Sequence, residues 1–510
     1  MHDRGLLAEI RPATIVADAP VLPVVRELVD RLEAASIAYC HWKSNEHLTA
    51  AVAGLTDLDV LVGRDNPEQL QMVLAAAGFR RFSAIRPYPA IEDYLAHDHG
   101  SGRLVHLHLH HELTVGQPHL KGYRLPWAQR VLAGRRLEPA SGIYVAAPEM
   151  ELLLLLVRSA LKERWRDRIR GLAGRPILGS DARRECAWLR ERADPTTMLA
   201  LAGELLGAAT AERLGALLEG TWRDRRFRSF AAAVRHSLVC CRTFGPVGAP
   251  WLAWMREVAW LADGLNRRYL HRPVPLRRVS PRGGLVVALL GADGSGKSTL
   301  TAALRRWLGV KLDVVPIYFG SGDGPSSLYR LPLRALARRL QSKAPRDIPG
   351  SPPVDSQSLF RRLGRVPWAI ALAAEKRSKL RTMVRARNRG MIVICDRFPQ
   401  NQRLGFNDGP LLGDWTTAPG RLRRFLANWE AAIYDSATSA GLPDLVVKLI
   451  ATPTVAVARK PEMSLEENRR RVESIRSLFF SSPTLVVEID ADQALDLMVS
   501  EVKAIIWRLL

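Results

Sequence analysis

Eight consecutive residues, Gly291 to Ser298, have the types and spacing of a loop that binds phosphate. Glycines let backbone N–H groups turn inward around phosphate oxygens, and the helix expected after the loop adds a partial positive charge. We expect Lys297 to reach the β- and γ-phosphates of a nucleoside triphosphate such as ATP, and the Ser298 hydroxyl to ligate Mg²⁺. The residues predicted to bind the nucleotide are Gly291, Asp293, Gly294, Ser295, Gly296, Lys297, Ser298 and Thr299.

The residues around this loop predict the elements that position it. Five apolar residues, Val286 to Leu290, predict a buried strand before the loop. After it, Leu300, Leu304 and Leu308 follow a helical spacing. An ordinary glycine-rich turn is the alternative, and this strand and helix disfavour it.

A carboxylate further along the chain is the next candidate. Residues 391–398 predict a buried strand that ends in Asp396, with Arg397 directly after it. A carboxylate at the end of a strand beside the phosphate-loop strand can hold Mg²⁺, and its neighbour can project into the substrate crevice. We therefore expect Asp396 to be a Mg²⁺ ligand and both residues to be catalytic. A strand-end ion pair is the alternative.

Two aspartates near the N-terminus form another candidate metal site. In the predicted strand Gly54–Val62, alternation puts Asp57 and Asp59 on one face and apolar residues on the other. Two carboxylates on one strand face can hold Mg²⁺ and the phosphates of a nucleotide. Solvated aspartates at a strand end are the alternative, and the sequence leaves both open.

Alternating histidines occupy a later stretch, residues 103–113. His106, His108 and His110 share one face of a predicted strand, a spacing that could bind a metal ion. A solvated or hydrogen-bonded face of the sheet is the alternative interpretation of the same pattern.

The composition limits the class of protein and its partners. A chain of 510 residues exceeds one ordinary core, so two or three domains are expected. Hydrophobic residues make up 47% and charged residues 25%, as in soluble globular proteins. The formal net charge of +23 favours anionic partners, including nucleotides, nucleic acid, acidic glycans and anionic membranes. The arginines are spread along the chain, and no specific nucleic-acid motif is present.

The cysteines and the apolar runs favour the cytoplasm. Five cysteines without a C-x-x-C pair argue against a disulfide framework or a zinc site. No apolar run approaches the roughly 20 residues of a membrane helix, and the first residues do not resemble a secretion signal. We expect a cytoplasmic protein without a transmembrane segment.

The C-terminal motifs together resemble the thymidylate kinase family. The resemblance covers residues 285–510 and rests on a phosphate loop that begins Gly-x-Asp and a later strand that ends Asp-Arg-Phe. It implies that Asp293 meets the sugar of an acceptor nucleotide and that Arg397 meets the acceptor phosphate. It also implies a lid in which Arg459 closes over the transferring phosphoryl group. Further candidates for that role are Lys460, Arg469, Arg470 and Arg471. The residues after Asp-Arg-Phe lack the run with which thymidylate kinases hold thymine, so the acceptor stays open.

The N-terminal pattern resembles the nucleotidyltransferase superfamily. Its members carry Gly-Ser at the start of a helix, where this chain has Lys43-Ser44, and then a D-x-D strand, here Asp57 to Asp59. They also carry a third carboxylate on a later strand, where this chain offers the alternating histidines. The resemblance implies an α+β fold. Because the catalytic set of the family is incomplete here, we expect the domain to keep nucleotide binding rather than nucleotide transfer.

These patterns predict an α/β protein. The C-terminal part would be a P-loop three-layer α/β/α domain with a parallel sheet, and the N-terminal part an α+β nucleotidyltransferase-like domain followed by a helical region. The expected limits are 1–146 for the nucleotidyltransferase-like domain, 147–270 for the helical region, 271–284 for a linker and 285–510 for the thymidylate kinase-like domain.

The favoured function is that of a kinase, an ATP- and Mg²⁺-dependent phosphotransferase. Its catalytic residues would be Lys297, Asp396, Arg397 and Arg459, and its acceptor a nucleotide or a sugar-like small molecule. The alternatives are a non-catalytic or switch-like nucleoside triphosphate-binding module, and a nucleotidyltransferase that acts through Asp57 and Asp59. A role in surface-polysaccharide metabolism is a hypothesis, and the sequence is compatible with a homodimer.

Overall fold

The computed structural model describes residues 20–163, 178–219, 224–245, 248–320, 356–403, 409–440, 442–461 and 464–510. The chain forms two compact units, Met1–Asp263 and Gly264–Leu510. Both units combine parallel strand pairs with helices, which confirms the predicted α/β class. Within the described ranges, no helix is both long and apolar enough to cross a membrane. The domain limits given above stay a prediction.

A mixed sheet forms the N-terminal part of the first unit. The strands of this unit are β1 Tyr39–His41, β2 Leu58–Val62, β3 Arg80–Ala84, β4 Ile91–Asp98, β5 Arg103–His110, β6 Leu113–Val115, β7 Tyr123–Leu125, β8 Arg136–Glu138 and β9 Ile143–Val145. In the sheet they follow the order β3-β4-β5-β2-β1-β9-β8, while β6 and β7 pair separately. Strand β5 is parallel to β2 and antiparallel to β4, and this register sets Asp59 and Asp93 on either side of His108.

Helices form the rest of the first unit. They are α1 Pro23–Ala34, α2 Leu48–Val52, α3 Pro67–Ala76, α4 Ala128–Ala133, α5 Pro148–Lys162, α6 Ser180–Arg190, α7 Pro195–Leu206, α8 Ala208–Leu218 and α9 Asp224–Ser237, and α10, Gly248–Tyr269, contains the division between the units. Residues 152–157 of α5 are all buried. Since apolar residues cover every face there, α5 packs among α6, α7 and α9 as the centre of the helical part.

A parallel sheet forms the core of the second unit. The strands of this unit are β10 Arg278–Val279, β11 Val286–Gly291, β12 Val314–Tyr318, β13 Ile392–Asp396, β14 Leu445–Ile450 and β15 Leu485–Asp490. The last five lie in the order β12-β13-β11-β14-β15, and each neighbouring pair is parallel. Every residue of β11 is buried, as expected for an uninterrupted apolar run at the centre of a parallel sheet. The carboxyl ends of the strands therefore meet at one edge.

Six helices of the described ranges surround this sheet. They are α11 Lys297–Gly309, α12 Ser356–Asn388, α13 Arg421–Ala440, α14 Pro453–Arg459, α15 Leu465–Arg476 and α16 Leu495–Leu509. Ser464 caps α15 by accepting a hydrogen bond from the Glu467 N–H at 3.2 Å. Part of the predicted linker packs within this unit, because the Ser280 N–H donates to the carbonyl oxygen of Gly390 at 2.9 Å.

Candidate functional site

The phosphate loop lies between strand β11 and helix α11. Gly294 has a φ of 85° and Gly296 a φ of 86°, in the left-handed region that favours glycine. A Cβ at Gly294 would stand 2.4 Å from the carbonyl oxygen of Ala456. A Cβ at Gly291 would stand 2.3 Å from Ser295 Oγ. Larger residues at these positions would force the loop open.

Helix α11 begins directly at the loop, with Lys297 as its first residue. The first N–H groups of any helix point toward its N-terminus, here toward the loop, and Gly296 has no side chain that could accept from them. Lys297 is buried, and its Nζ donates to the carbonyl oxygen of Ala292 at 2.6 Å. Ser298 and Thr299 are exposed in the first turn. The loop thus gathers backbone N–H groups, an ammonium group and hydroxyl groups, all of which can bind phosphate.

Asp396 ends strand β13 at the same edge of the sheet. In the parallel register it lies beside Leu289 of β11 on one side and Tyr318 of β12 on the other. The Arg397 N–H donates to the carbonyl oxygen of Leu289 at 3.0 Å, which fixes this strand end next to the loop. Asp396 and the loop that carries Lys297 therefore follow the carboxyl ends of neighbouring strands.

Asp293, inside the loop, contacts two arginines from other elements. Arg397 Nη2 donates to Asp293 Oδ1 at 2.9 Å, and Arg471 Nη1 of α15 donates to Asp293 Oδ2 at 2.8 Å. Partial burial raises the pKa of Asp293, but the charges of Arg397, Lys297 and Arg471 outweigh it, so the pKa lies below its ordinary value of 3.8. Arg397 itself has a φ of 68°, a conformation that is uncommon for residues other than glycine.

Helix α15 contacts the loop through a residue that the sequence analysis missed. Asn468 Nδ2 donates to the Asp293 carbonyl oxygen at 3.2 Å, and Asn468 and Arg471 lie three positions apart on one face of the helix. The i, i+3 spacing is the signal that could have indicated this face. Arg470, between them, forms an exposed ion pair with Glu466 instead.

Arg459, which is also predicted to be catalytic, contacts the backbone after strand β15. Its Nη1 donates to the carbonyl oxygen of Ala491, just after β15, at 2.8 Å. The structure therefore brings Lys297, Asp396, Arg397 and Arg471 to the edge of the sheet that bears the phosphate loop. Arg459 donates to the backbone at the carboxyl end of β15, on the same edge.

In the first unit, Asp57 and Asp59 both face the histidines of β5. Asp57 Oδ1 lies 2.7 Å from His106 Nδ1. Asp59 Oδ1 lies 3.2 Å from His108 Nδ1 and 3.3 Å from His110 Nε2. The alternation in the two strands thus places both aspartates and all three histidines in one cluster.

Lys43 contacts the second aspartate of this cluster. Its Nζ lies 2.8 Å from Asp59 Oδ1. Burial raises the pKa of Asp59, but Lys43 and hydrogen bonds from His108 and His110 hold that pKa well below 3.8. Burial lowers the pKa of His110 to about 4, against its hydrogen bond to Asp59, so this ring is neutral at neutral pH.

A third carboxylate, missed by the sequence analysis, belongs to the same cluster. Asp93 Oδ1 of strand β4 lies 2.9 Å from His106 Nε2 and 3.1 Å from His108 Nε2. Asp93 is 8% exposed. Only the pairing of β4 with β5 brings it there, and no local pattern in the sequence gives that register.

The Lys43-Ser44 segment is held by two carboxylates from the helical part. The Ser44 N–H donates to Glu185 Oε1 at 3.2 Å, and the Asn45 N–H donates to Glu151 Oε1 at 2.9 Å. Asn45 Nδ2 also donates to Glu151 Oε2 at 2.7 Å. The backbone N–H groups at this turn therefore bind protein carboxylates.

The parallel sheet and the loop at its edge define a P-loop protein of the α/β class. The chain is 31% identical over 218 residues to the "Uncharacterized ATP-binding protein YghS" of Escherichia coli strain K12, covering 41% of this chain and 87% of that protein. It is 30% identical over 215 residues to "Uncharacterized ATP-binding protein YghR" of the same strain, covering 40% of this chain and 80% of that protein. The chain belongs to the family of these two proteins. No protein-family model matches it.

Proposed function

We propose that the second unit binds ATP and transfers its terminal phosphoryl group to a small-molecule acceptor. The observation that carries this proposal is the placement of the phosphate loop and Asp396 at the carboxyl ends of adjacent parallel strands. In open α/β sheets, substrates bind in the crevice outside this edge. A triphosphate held by the loop would have its reacting end beside that carboxylate.

Two observations support ATP binding, the names of the related proteins and the conformation of the loop. The related proteins YghS and YghR are both named as ATP-binding proteins. In this chain, Gly294 and Gly296 hold the backbone in a conformation in which N–H groups can surround phosphate oxygens. Ser295 Oγ is buried and, within the described ranges, has no hydrogen-bond partner, so it can donate to a phosphate oxygen.

The oxygen donors near the loop fit Mg²⁺. Ser298 presents an exposed hydroxyl in the first turn of α11, and Asp396 presents a carboxylate at the neighbouring strand end. Oxygen ligands of this kind, together with the phosphates of a substrate, are those that Mg²⁺ prefers. Ser298 and Asp396 would hold such an ion, and its charge would offset the negative charge of the phosphates.

The arginines next to the loop suggest where the acceptor binds. Arg397 and Arg471 both donate to Asp293, so their charges already converge on one anionic group. A phosphate on the acceptor could take over part of these hydrogen bonds, because guanidinium groups bind carboxylate and phosphate alike. In the transfer, the acceptor oxygen would bond to the γ-phosphorus while the bond from that phosphorus to the β-phosphate oxygen breaks, ADP would leave with the electron pair, and the proton of an acceptor hydroxyl would pass to solvent.

Two other functions remain as hypotheses. A switch-like module would bind ATP without an acceptor, and its loop would need no arginines for an acceptor phosphate. A nucleotidyltransferase would act through Asp57 and Asp59, which share one face in the structure. However, Lys43 contacts Asp59 directly, and the N–H groups of Ser44 and Asn45 donate to protein carboxylates. These contacts favour the kinase over the nucleotidyltransferase.

The experiment that tests the proposal follows the label of γ-labelled ATP. The full chain is incubated with labelled ATP, Mg²⁺ and a panel of nucleoside monophosphates, sugars and sugar phosphates. We expect label on at least one acceptor and its loss in Lys297→Ala. ATP binding without any labelled acceptor would favour the switch.

A matched variant in the first unit distinguishes the nucleotidyltransferase from the kinase. Asp57→Ala should leave the labelled acceptor unchanged if the second unit performs the transfer. Pyrophosphate release that depends on Asp57 would instead support nucleotidyl transfer and contradict the kinase proposal.

A further inference from the structure

The carboxylate–histidine cluster, defined by Asp57, Asp59, Asp93, His106, His108 and His110, has no role in the proposed phosphoryl transfer. Its members come from three neighbouring strands, β2 with the residue before it, β4 and β5. We infer that Asp57, His106 and His108 bind a divalent first-row transition metal ion in the first unit, and that Asp93 positions the two histidines.

The three proposed ligands already converge. One ligand atom from each of Asp57, His106 and His108 lies within 4.8 Å of the other two. Ligands of a tetrahedral zinc ion stand about 2.0–2.2 Å from the metal, so side-chain rotations alone would close this set around an ion. No change of strand register is needed.

Both imidazole rings are oriented so that Nδ1 could bind a metal ion while a carboxylate supports the ring at Nε2. His106 Nδ1 lies 2.7 Å from Asp57, whereas His108 Nδ1 lies 3.2 Å from Asp59 and 3.9 Å from Asp57, so it would turn from Asp59 toward the ion. The Nε2 atoms both face Asp93 Oδ1, at 2.9 Å and 3.1 Å. A carboxylate that accepts from the second nitrogen of a ligating histidine is the usual support of a metal-bound imidazole, because it fixes the ring and its tautomer. Here the carboxylate of Asp93 supports the rings of both His106 and His108.

The charges of the cluster also suit a divalent cation. The carboxylates of Asp57, Asp59 and Asp93 carry three negative charges, Lys43 offsets one of them through Asp59, and imidazole rings bind a metal ion in their neutral form. The remaining charge of about −2 is only partly exposed to solvent, since Asp59 and Asp93 are each 8% exposed.

The donor set points to the kind of metal. Two imidazole nitrogens and one carboxylate oxygen favour Zn²⁺, Co²⁺ or Fe²⁺, whereas Mg²⁺ prefers oxygen ligands alone. The side chain of Asp57 is 35% exposed and that of His108 is 23% exposed. Coordination positions on the solvent side would therefore be left for water or a substrate, as in open rather than structural metal sites.

The test uses the full chain without an affinity tag, treated with a chelator and then titrated with Zn²⁺ or Mg²⁺ in a calorimeter. Cys240 and Cys241, whose sulfur atoms lie 3.8 Å apart, are changed to serine throughout, so that thiols do not contribute. We expect one Zn²⁺ per chain and no heat from Mg²⁺ in the absence of nucleotide. His106→Gln, His108→Gln and Asp57→Asn should each weaken Zn²⁺ binding at least about tenfold, and Asp93→Asn by about 10- to 100-fold.

His236→Gln, an exposed histidine on α9, is the matched control and should bind Zn²⁺ like the parent protein. Because a buried variant could fail to fold, Co²⁺ added to the parent protein provides a second measurement. Visible absorption bands typical of nitrogen and oxygen ligands are expected, and stoichiometric Zn²⁺ should abolish them. Less than a tenth of an equivalent of Zn²⁺ bound by the parent protein, or equal binding by the parent, His106→Gln and His108→Gln, would overturn the inference. ATP is absent throughout, so failure here leaves the proposed kinase untouched.

Discussion

Arg397 donates to Asp293 at 2.9 Å, which joins the end of strand β13 to the middle of the phosphate loop. Arg471 of helix α15 donates to the second oxygen of the same carboxylate at 2.8 Å. One loop residue therefore holds two arginines from two other elements. An anionic acceptor, as proposed, would compete with Asp293 for these guanidinium groups, and this competition would link the geometry of the loop to the binding of the acceptor.

The first prediction concerns the pH dependence of stability at Asp293. Its pKa in the folded protein lies below the ordinary value of 3.8, because of the charges of Arg397, Lys297 and Arg471. The ionised form therefore stabilises the fold above pH 3.8, and this contribution disappears as the pH falls through the lower folded pKa. Asp293→Asn should lower the free energy of unfolding by about 1 kcal/mol at pH 6. Urea unfolding of the wild type and of Asp293→Asn between pH 3 and pH 6 measures this difference in the free energy of unfolding.

The titration of other carboxylates affects both proteins alike, so the difference between them isolates Asp293. That difference should stay constant from pH 6 to pH 5 and shrink below pH 4. A difference that grows as the pH falls would mean that the ion pairs with Arg397 and Arg471 do not stabilise the fold.

The second prediction concerns the shape of the loop. Gly294→Ala places a Cβ 2.4 Å from the Ala456 carbonyl oxygen at a φ of 85°, so the loop must move away from α14. We expect a loss of stability of about 1–3 kcal/mol and at least a tenfold loss of ATP affinity. Thermal unfolding and titration with a fluorescent ATP analogue measure the two effects.

Gly309→Ala is the matched control for this substitution. Gly309 ends helix α11, and a Cβ there would meet no atom within 4 Å. Alanine should leave ATP affinity unchanged and raise stability by up to about 1 kcal/mol. Equal effects of the two substitutions would show that the tight packing at Gly294 has no role in nucleotide binding.

The third prediction distinguishes two neighbouring arginines of helix α15. Arg471 contacts Asp293, whereas Arg470 forms an exposed pair with Glu466. Arg471→Ala should reduce the rate of phosphoryl transfer at least about tenfold, because a charge near the transferring group is lost, while Arg470→Ala should have little effect. Steady-state kinetics of both variants at saturating ATP measures this. The same loss in both variants would place the decisive arginine elsewhere.

The fourth prediction concerns the lysine of the loop. Lys297→Ala removes the ammonium group at the start of α11 and should weaken ATP binding by about tenfold or more. Arg305→Ala removes an exposed positive charge from the same helix and serves as the control for a simple change in net charge. Calorimetric titration with ATP and Mg²⁺ compares them. Retention of full ATP affinity by Lys297→Ala would contradict binding at this loop.

The phosphate loop could be predicted because its chemistry lies in eight consecutive residues. The strand before it, the helix after it and the glycines between them are all local patterns. Asp396 required one more step, the expectation that its strand lies beside the loop strand. The register of β13 on β11 agrees with that expectation. The catalytic roles of these residues stay predictions.

The partners of the predicted residues could not be read from the sequence. Asp93 reaches His106 and His108 only through the antiparallel register of β4 on β5, and Asn468 reaches the loop only through the packing of α15. The role of Arg459 was indicated by resemblance alone and stays a prediction; its guanidinium group donates to the carbonyl oxygen of Ala491.

The most direct measurement is the rate at which labelled γ-phosphate passes from ATP to the acceptor that the panel identifies, in the wild type and in Asp396→Asn. The two side chains have nearly the same shape, so the substitution removes the charge and leaves the strand end intact. We predict that Asp396→Asn binds ATP with nearly unchanged affinity and transfers phosphate at least about a hundredfold more slowly. Transfer at the wild-type rate by Asp396→Asn would contradict the assignment of this edge of the sheet as the site of phosphoryl transfer.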